Sequence, residues 1–149
     1  MTPDSHIVDI TRLIQLAVAP VFMLTAVGTL LGVLSNRLGR AVDRRRYILE
    51  HGVSLTPDAL VLAQAELPLL AQRIRLIYIA MAFAVFSALF VGLLIAVAFL
   101  DAFVSINLTR FVGALFVAAM LAFIASLIVF LREIFVAVSR LRDVQRDVR

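Results

Sequence analysis

Gln15, Thr25, Thr29 and Asn36 are neutral polar side chains set within, or directly after, an apolar run over residues 13–35. Gln15, Phe22, Thr29, Asn36 and Asp43 recur every seven residues, Gly28, Gly32 and Ser35 lie beside that line, and Thr25 sits one turn earlier. A seven-residue recurrence drifts by only about 20° per repeat on a straight helix, so such a stripe stays on one side for several turns. Arg37 and Arg40 follow it. Rings of neutral polar and charged side chains can set ion selectivity when copies of a protein surround an axis. One reading is therefore that Gln15, Thr25, Thr29 and Asn36 line a narrow path for ions or small solutes, with Arg37 and Arg40 at its mouth. One copy cannot enclose such a path, so this reading requires a homo-oligomer.

The same stripe also reads as helix packing. Gly28-Thr29-Leu30-Leu31-Gly32 is a GxxxG pattern, which lets two helix backbones approach closely in lipid. Threonine hydroxyls on such a face bond the carbonyls of their own helix. A weaker counterpart is the run Ala114, Ala118, Ala122 and Ser126.

Other chemistry is short of parts. Catalysis needs acids, bases or nucleophiles within reach of one another, and no ionisable residue lies in the middle of an apolar run. There is no cysteine, which removes thiolate ligands, cysteine nucleophiles and disulfides. His6 and His51 are expected on opposite sides of the membrane, where they cannot share a metal. Asp9 with Arg12, and Asp101 with Arg110, read as interfacial pairs or solvated charges. Arg132 and Glu133 end the last apolar run, where an ion pair with the helical hairpin of residues 36–75 is expected and a catalytic role is not. Asn107-Leu108-Thr109 fits a glycosylation sequon but stands too near the membrane to carry weight. No enzymatic role, cofactor or metal is expected.

The elements that must position these residues follow from composition. The chain has 149 residues, 63% of them hydrophobic and 16% charged, with a mean hydropathy of +1.06. Soluble domains run nearer 45–50% apolar, and a chain this short cannot bury such an excess in its own core. A helix needs roughly 20 residues to cross a hydrocarbon layer of about 30 Å. Residues 13–35, 76–100 and 111–131 meet that length without an internal charge. The first run is too long, and the segment before it too acidic, for a cleaved signal peptide. In lipid these runs must be helices, since they lack the alternation of barrel strands.

All 14 basic residues are arginine. They gather in the connection 36–75 and after residue 131, whereas segment 1–12 holds only Arg12 and loop 101–110 only Arg110. The positive-inside rule then places the N-terminus outside and the C-terminus inside. Within 36–75 the first helix is expected to run on to Gly52. Thr56-Pro57-Asp58 reads as an N-cap, a first-turn proline and a first-turn acid, opening a second helix that Pro68 kinks or shortens. The result is a cytoplasmic helical hairpin, and residues 132–149 form an amphipathic cytoplasmic helix. Arg44, Arg45, Arg46, Arg140 and Arg142 are placed to meet anionic lipid headgroups or a protein partner. No nucleic-acid motif accompanies the charge, and none is expected as a partner.

The stretch LIQLAVAPVFMLTAVGTLLGVLSNRLGRAVDRRR resembles the opening of a family of small bacterial membrane proteins of unknown function. RIRLIYIAMAFAVFSALFVGLLIAVAFLD and FLREIFVAVSRLR are similar to that family's second and third spans. The resemblance implies a multi-pass protein of a bacterial inner membrane and brings no activity or site residue with it. The sequence thus predicts an all-α membrane protein with three transmembrane helices. Its leading functional reading is a homo-oligomer with a path lined by the first span. The alternative is a non-conducting accessory or scaffold protein that binds a partner through its cytoplasmic helices.

Overall fold

In a computed structural model the chain is described over backbone residues 3–52, 56–101 and 109–147, with side chains at 18–52, 56–57, 59–100 and 109–138. Three α-helices make up the fold: α1 (Pro3–His51), α2 (Pro57–Asp101) and α3 (Thr109–Asp147). All three are long and apolar enough to cross a membrane. At 1.5 Å per residue, the 39 residues of α3 and the 49 of α1 give lengths of about 58 and 74 Å, roughly twice a hydrocarbon layer. Each helix therefore has a charged half as well as an apolar one, and the change in composition at residues 35, 75 and 131 marks no helix end.

Sequence punctuation sets the connection between α1 and α2. Helix α1 stops at His51, before Gly52, and α2 starts with Pro57 in the first position, where a missing N–H costs nothing. The Thr56 carbonyl accepts the first helical bond from the Leu60 N–H at 2.9 Å. Pro68 does not end the second helix, which runs through it to Asp101. The amphipathic segment after residue 131 is likewise the continuation of α3 and not a separate element.

Burial along each helix follows a heptad. On α1 the buried positions are Pro20, Met23, Val27, Leu30, Leu34, Ala41 and Ile48; on α2 they are Ala63, Leu70, Ile77, Ala80, Ala84, Ser87, Val91 and Leu94. On α3 they are Leu115, Ala119, Ser126 and Glu133. Steps of three, four and seven residues are the seam of helices packed at small crossing angles.

The chain divides into two compact units, to each of which every helix contributes one stretch. The first joins Met1–Leu30 to Ala84–Phe123. Its centre is Met23, Val91 and Ala119, with Leu24, Phe90, Ile95 and Phe123 packed around them. The Ser87 hydroxyl, fully buried, donates to the Ala119 carbonyl at 2.9 Å. The second unit joins Leu31–Phe83 to Ile124–Arg149. There Ile48 packs on Ala63 and Leu70, with Leu67 alongside, and the buried Ser126 hydroxyl donates to the Ala80 carbonyl at 2.7 Å.

Lipid tails are as apolar as leucine, so helices in a membrane associate through close packing and interhelical hydrogen bonds. Alanine and serine at the α2–α3 contacts serve both purposes. Ala119→Leu should destabilise the fold by roughly 1–3 kcal/mol through overpacking. Gly113, around which a Cβ would find open space, should tolerate Gly113→Ala with no loss, or a gain of up to about 1 kcal/mol. Unfolding titrations in mixed detergent compare the two.

Candidate functional site

The polar stripe read in the sequence lies on the outer side of α1. Its positions 22, 29, 36 and 43 fall two residues, or about 200°, from the buried positions 20, 27, 34 and 41. Thr25, Gly28, Thr29, Gly32, Asn36 and Arg40 are all exposed, and Phe22 is 71% exposed. Among the described residues a Cβ at Gly28 or Gly32 would meet nothing within 4 Å, so the GxxxG pattern brings no described helix close to α1 there. Thr25 donates its hydroxyl to the Val21 carbonyl at 3.3 Å and Thr29 to the Thr25 carbonyl at 2.9 Å. Each threonine therefore turns oxygen lone pairs, not a proton, outward.

The run Ala114, Ala118, Ala122 and Ser126 of α3 lies only partly within the contacts of the chain, with Ser126 bonded to α2. Ala114 is exposed and Ala118 and Ala122 are half-buried, while Leu115, Ala119 and Ser126 are buried. Gln15, Arg140 and Arg142 belong to α1 and α3, and their side chains lie outside the described residues.

Unit two holds a charge cluster whose full membership the sequence did not disclose. Glu133 of α3 is completely buried, and each of the other helices sends one arginine to it. Arg73 of α2 donates from Nε to Glu133 Oε1 at 3.0 Å, with its Nη2 also 3.0 Å away. Arg37 of α1 places Nη2 2.9 Å from Oε2, close enough to pair electrostatically but without the alignment of a hydrogen bond. The Arg37 guanidinium also lies 5.3 Å from the Phe130 ring centroid, within cation–π range. A buried carboxylate is costly unless it is paired, and here two guanidinium groups compensate it. The expected ion pair at Glu133 thus forms with Arg73. Arg37, expected beside Arg40 at the mouth of a path, is its second partner.

Further along α1 and α2, Arg44 and Glu66 form a bidentate pair, Nε to Oε1 at 3.1 Å and Nη2 to Oε2 at 2.8 Å. The hydrogen bond and opposite charge of Glu66 raise Arg44 above the ordinary arginine range, which secures a charge already permanent at any physiological pH. Tyr47 lies 6.0 Å from the Arg44 guanidinium and stacks on His51 at 4.6 Å. Between these two pairs opens a cleft of about 450 Å³. Arg37, Arg40, Arg44 and Arg73 line it with Glu66, over the buried Ala41 and Leu70. Arg40 is exposed and has no ion-pair partner among the described residues. Arg45 and Arg46 are exposed outside the cleft, Arg46 reaching Glu50 at 3.9 Å. No three His, Asp or Glu side chains converge on a metal position among the described residues.

The signal that could have located the cluster is the isolation of Glu133. It is the only acid between Asp101 and Asp143, and it continues the seven-residue line of Ala119 and Ser126. An acid on the buried line of a basic helix calls for partners from both neighbours.

Three long apolar helices with buried seams and a charged cluster define an all-helical membrane protein. The chain belongs to a family described as a protein of unknown function (DUF2721), whose sequence profile matches residues 17–143. Neither a curated protein nor a solved structure matches it significantly. The matched residues include 17–35 of the first apolar run, the whole of the other two, and the Arg37, Arg73 and Glu133 positions.

Glu133→Gln should lower stability by about 3–5 kcal/mol, because it leaves two part-buried guanidinium groups facing each other without a counter-charge. Glu66→Gln, in a half-exposed pair, should cost no more than about 1 kcal/mol. Comparative unfolding in detergent, with far-UV circular dichroism as the readout, checks the contrast.

Proposed function

We propose that the protein is a homo-oligomeric integral membrane protein whose copies meet along the outer side of α1, and that this face lines a path for ions or small solutes. The observation that carries the proposal is the exposure of Thr25, Gly28, Thr29, Gly32 and Asn36, with open space around both glycines. In the apolar windows of α1, α2 and α3 only 28%, 28% and 22% of residues are buried within the chain. Lipid can cover leucine and phenylalanine, but small and polar residues are the groups by which one membrane helix recognises another. Outward-turned threonine oxygens and the Asn36 amide supply neutral polar ligands along such a path. Gln15 would extend it toward the N-terminus.

The arginine distribution supports an orientation with the N-terminus outside and the α1–α2 connection and C-terminus in the cytoplasm. The charged halves of α1 and α2 then form a cytoplasmic hairpin and that of α3 a cytoplasmic helix. The family resemblance supports a bacterial inner membrane. Arg45, Arg46, Arg140 and Arg142 would meet anionic headgroups there.

Purified protein in sealed vesicles should pass small ions. Thr29→Leu and Asn36→Leu should each reduce the flux several-fold while cross-linking still reports the same oligomer. An assembled but non-conducting particle would replace this reading with that of a scaffold binding a partner through its cytoplasmic helices. A monomer in both detergent and bilayers would remove the reading altogether.

A further inference from the structure

The four-arginine cleft of unit two is more than a basic patch. Arg37, Arg40 and Arg44 follow one another along α1 at spacings of three and four residues, and Arg73 faces them from α2. The charges do not cancel. Four guanidinium groups line the cleft, Glu66 is the single lining acid, and Glu133 stands behind two of the arginines, which leaves a net charge of +2.

The arginines are also held in place. Glu133 fixes Arg37 and Arg73 from one side and Glu66 fixes Arg44 from another, while each guanidinium has five N–H donors and uses at most two of them on these acids. The remaining donors of three positioned groups, and all those of Arg40, are available to an acceptor in the cleft. Preorganised guanidinium forks match the geometry of phosphate oxygens. A phosphate group, with three acceptor oxygens and up to two negative charges, matches the net +2 of the cleft more closely than a carboxylate with two oxygens and one charge. The apolar floor of Ala41 and Leu70 keeps water from one side of the site, which strengthens each charge-assisted bond. At about 450 Å³ the cleft lies within the size range of small-ligand sites.

We infer that this cleft is a binding site for a phosphate-bearing group of two negative charges. Its source is either the headgroup of an anionic phospholipid or a soluble phosphate compound. The arginines of the site lie beyond the stripe over residues 25–36, and of those on α1 only Arg40 shares the exposed side of that stripe.

The test uses the full chain, delipidated in detergent, with inorganic phosphate as one probe and cardiolipin as the other, read by thermal shift and by native mass spectrometry. The wild type should bind one equivalent of at least one probe. Arg40→Gln, which breaks no ion pair among the described residues, should weaken that binding by roughly tenfold, the loss expected for about 1.4 kcal/mol of charge-assisted bonding. Arg40→Lys should recover part of it. Arg46→Gln, outside the cleft, should change it less than about twofold. Saturation by phosphate would assign a soluble ligand, and saturation by cardiolipin without competition from millimolar phosphate would assign a headgroup. Failure of both probes to bind, or an equal loss in Arg46→Gln, would overturn the inference, since the attraction would then be absent or diffuse.

Discussion

The constraint from which the structure is best understood is the placement of one carboxylate, Glu133, where water cannot reach it. Desolvating an ion in a protein interior costs several kcal/mol even after relaxation, so the site is tolerable only when cations are brought to it. Arg37 and Arg73 come from different helices, and they can meet Glu133 only if the three helices share one register. A slide of α3 by one turn would move the acid about 5.4 Å, beyond the reach of both pairs. The apolar heptad alone does not enforce this, because it repeats every seven residues and accepts several alignments. The ion cluster therefore supplies specificity to a seam whose packing supplies cohesion.

The two serine contacts act in the same sense with less energy. Ser87 bonds from α2 to α3 in one unit and Ser126 from α3 to α2 in the other. Each satisfies a hydroxyl that would otherwise be buried without a partner, and each demands that an alanine carbonyl of the facing helix be at hand. Interhelical bonds of this kind contribute on average about 0.6 kcal/mol in membranes, so their value lies in selecting an alignment.

Much of the architecture was legible in the sequence. Apolar length gave three helices long enough to span, and Gly52 with Thr56-Pro57 marked where α1 stops and α2 starts. The continuity of α2 through Pro68 and of α3 past residue 131 was not legible, because hydropathy reports a change of solvent, and a helix can cross that change without ending. The buried seam was hidden for a different reason. In a run where nearly every side chain is apolar, Val27 and Leu34 do not stand out from Val33 or Phe22, and the eye goes to the polar exceptions, which on α1 face away from the core. Arg37 illustrates the same difficulty: one residue after Asn36, it is rotated by about 100° toward Glu133, and its charge alone did not reveal that turn.

The graded exposure of the ion pairs has a dynamic consequence. Arg44 and Glu66 are 51% and 36% exposed, whereas Arg37 and Arg73 are 24% and 28% exposed around an acid at 0%. Dissolved salt screens the first pair readily and the second poorly, so rising ionic strength loosens the junction near Ile48 and Ala63 while the Glu133 cluster stays closed. Opening should then proceed as peeling, from the α1–α2 connection inward, and amide protons there should exchange with solvent well before those beside Leu34 and Ile77.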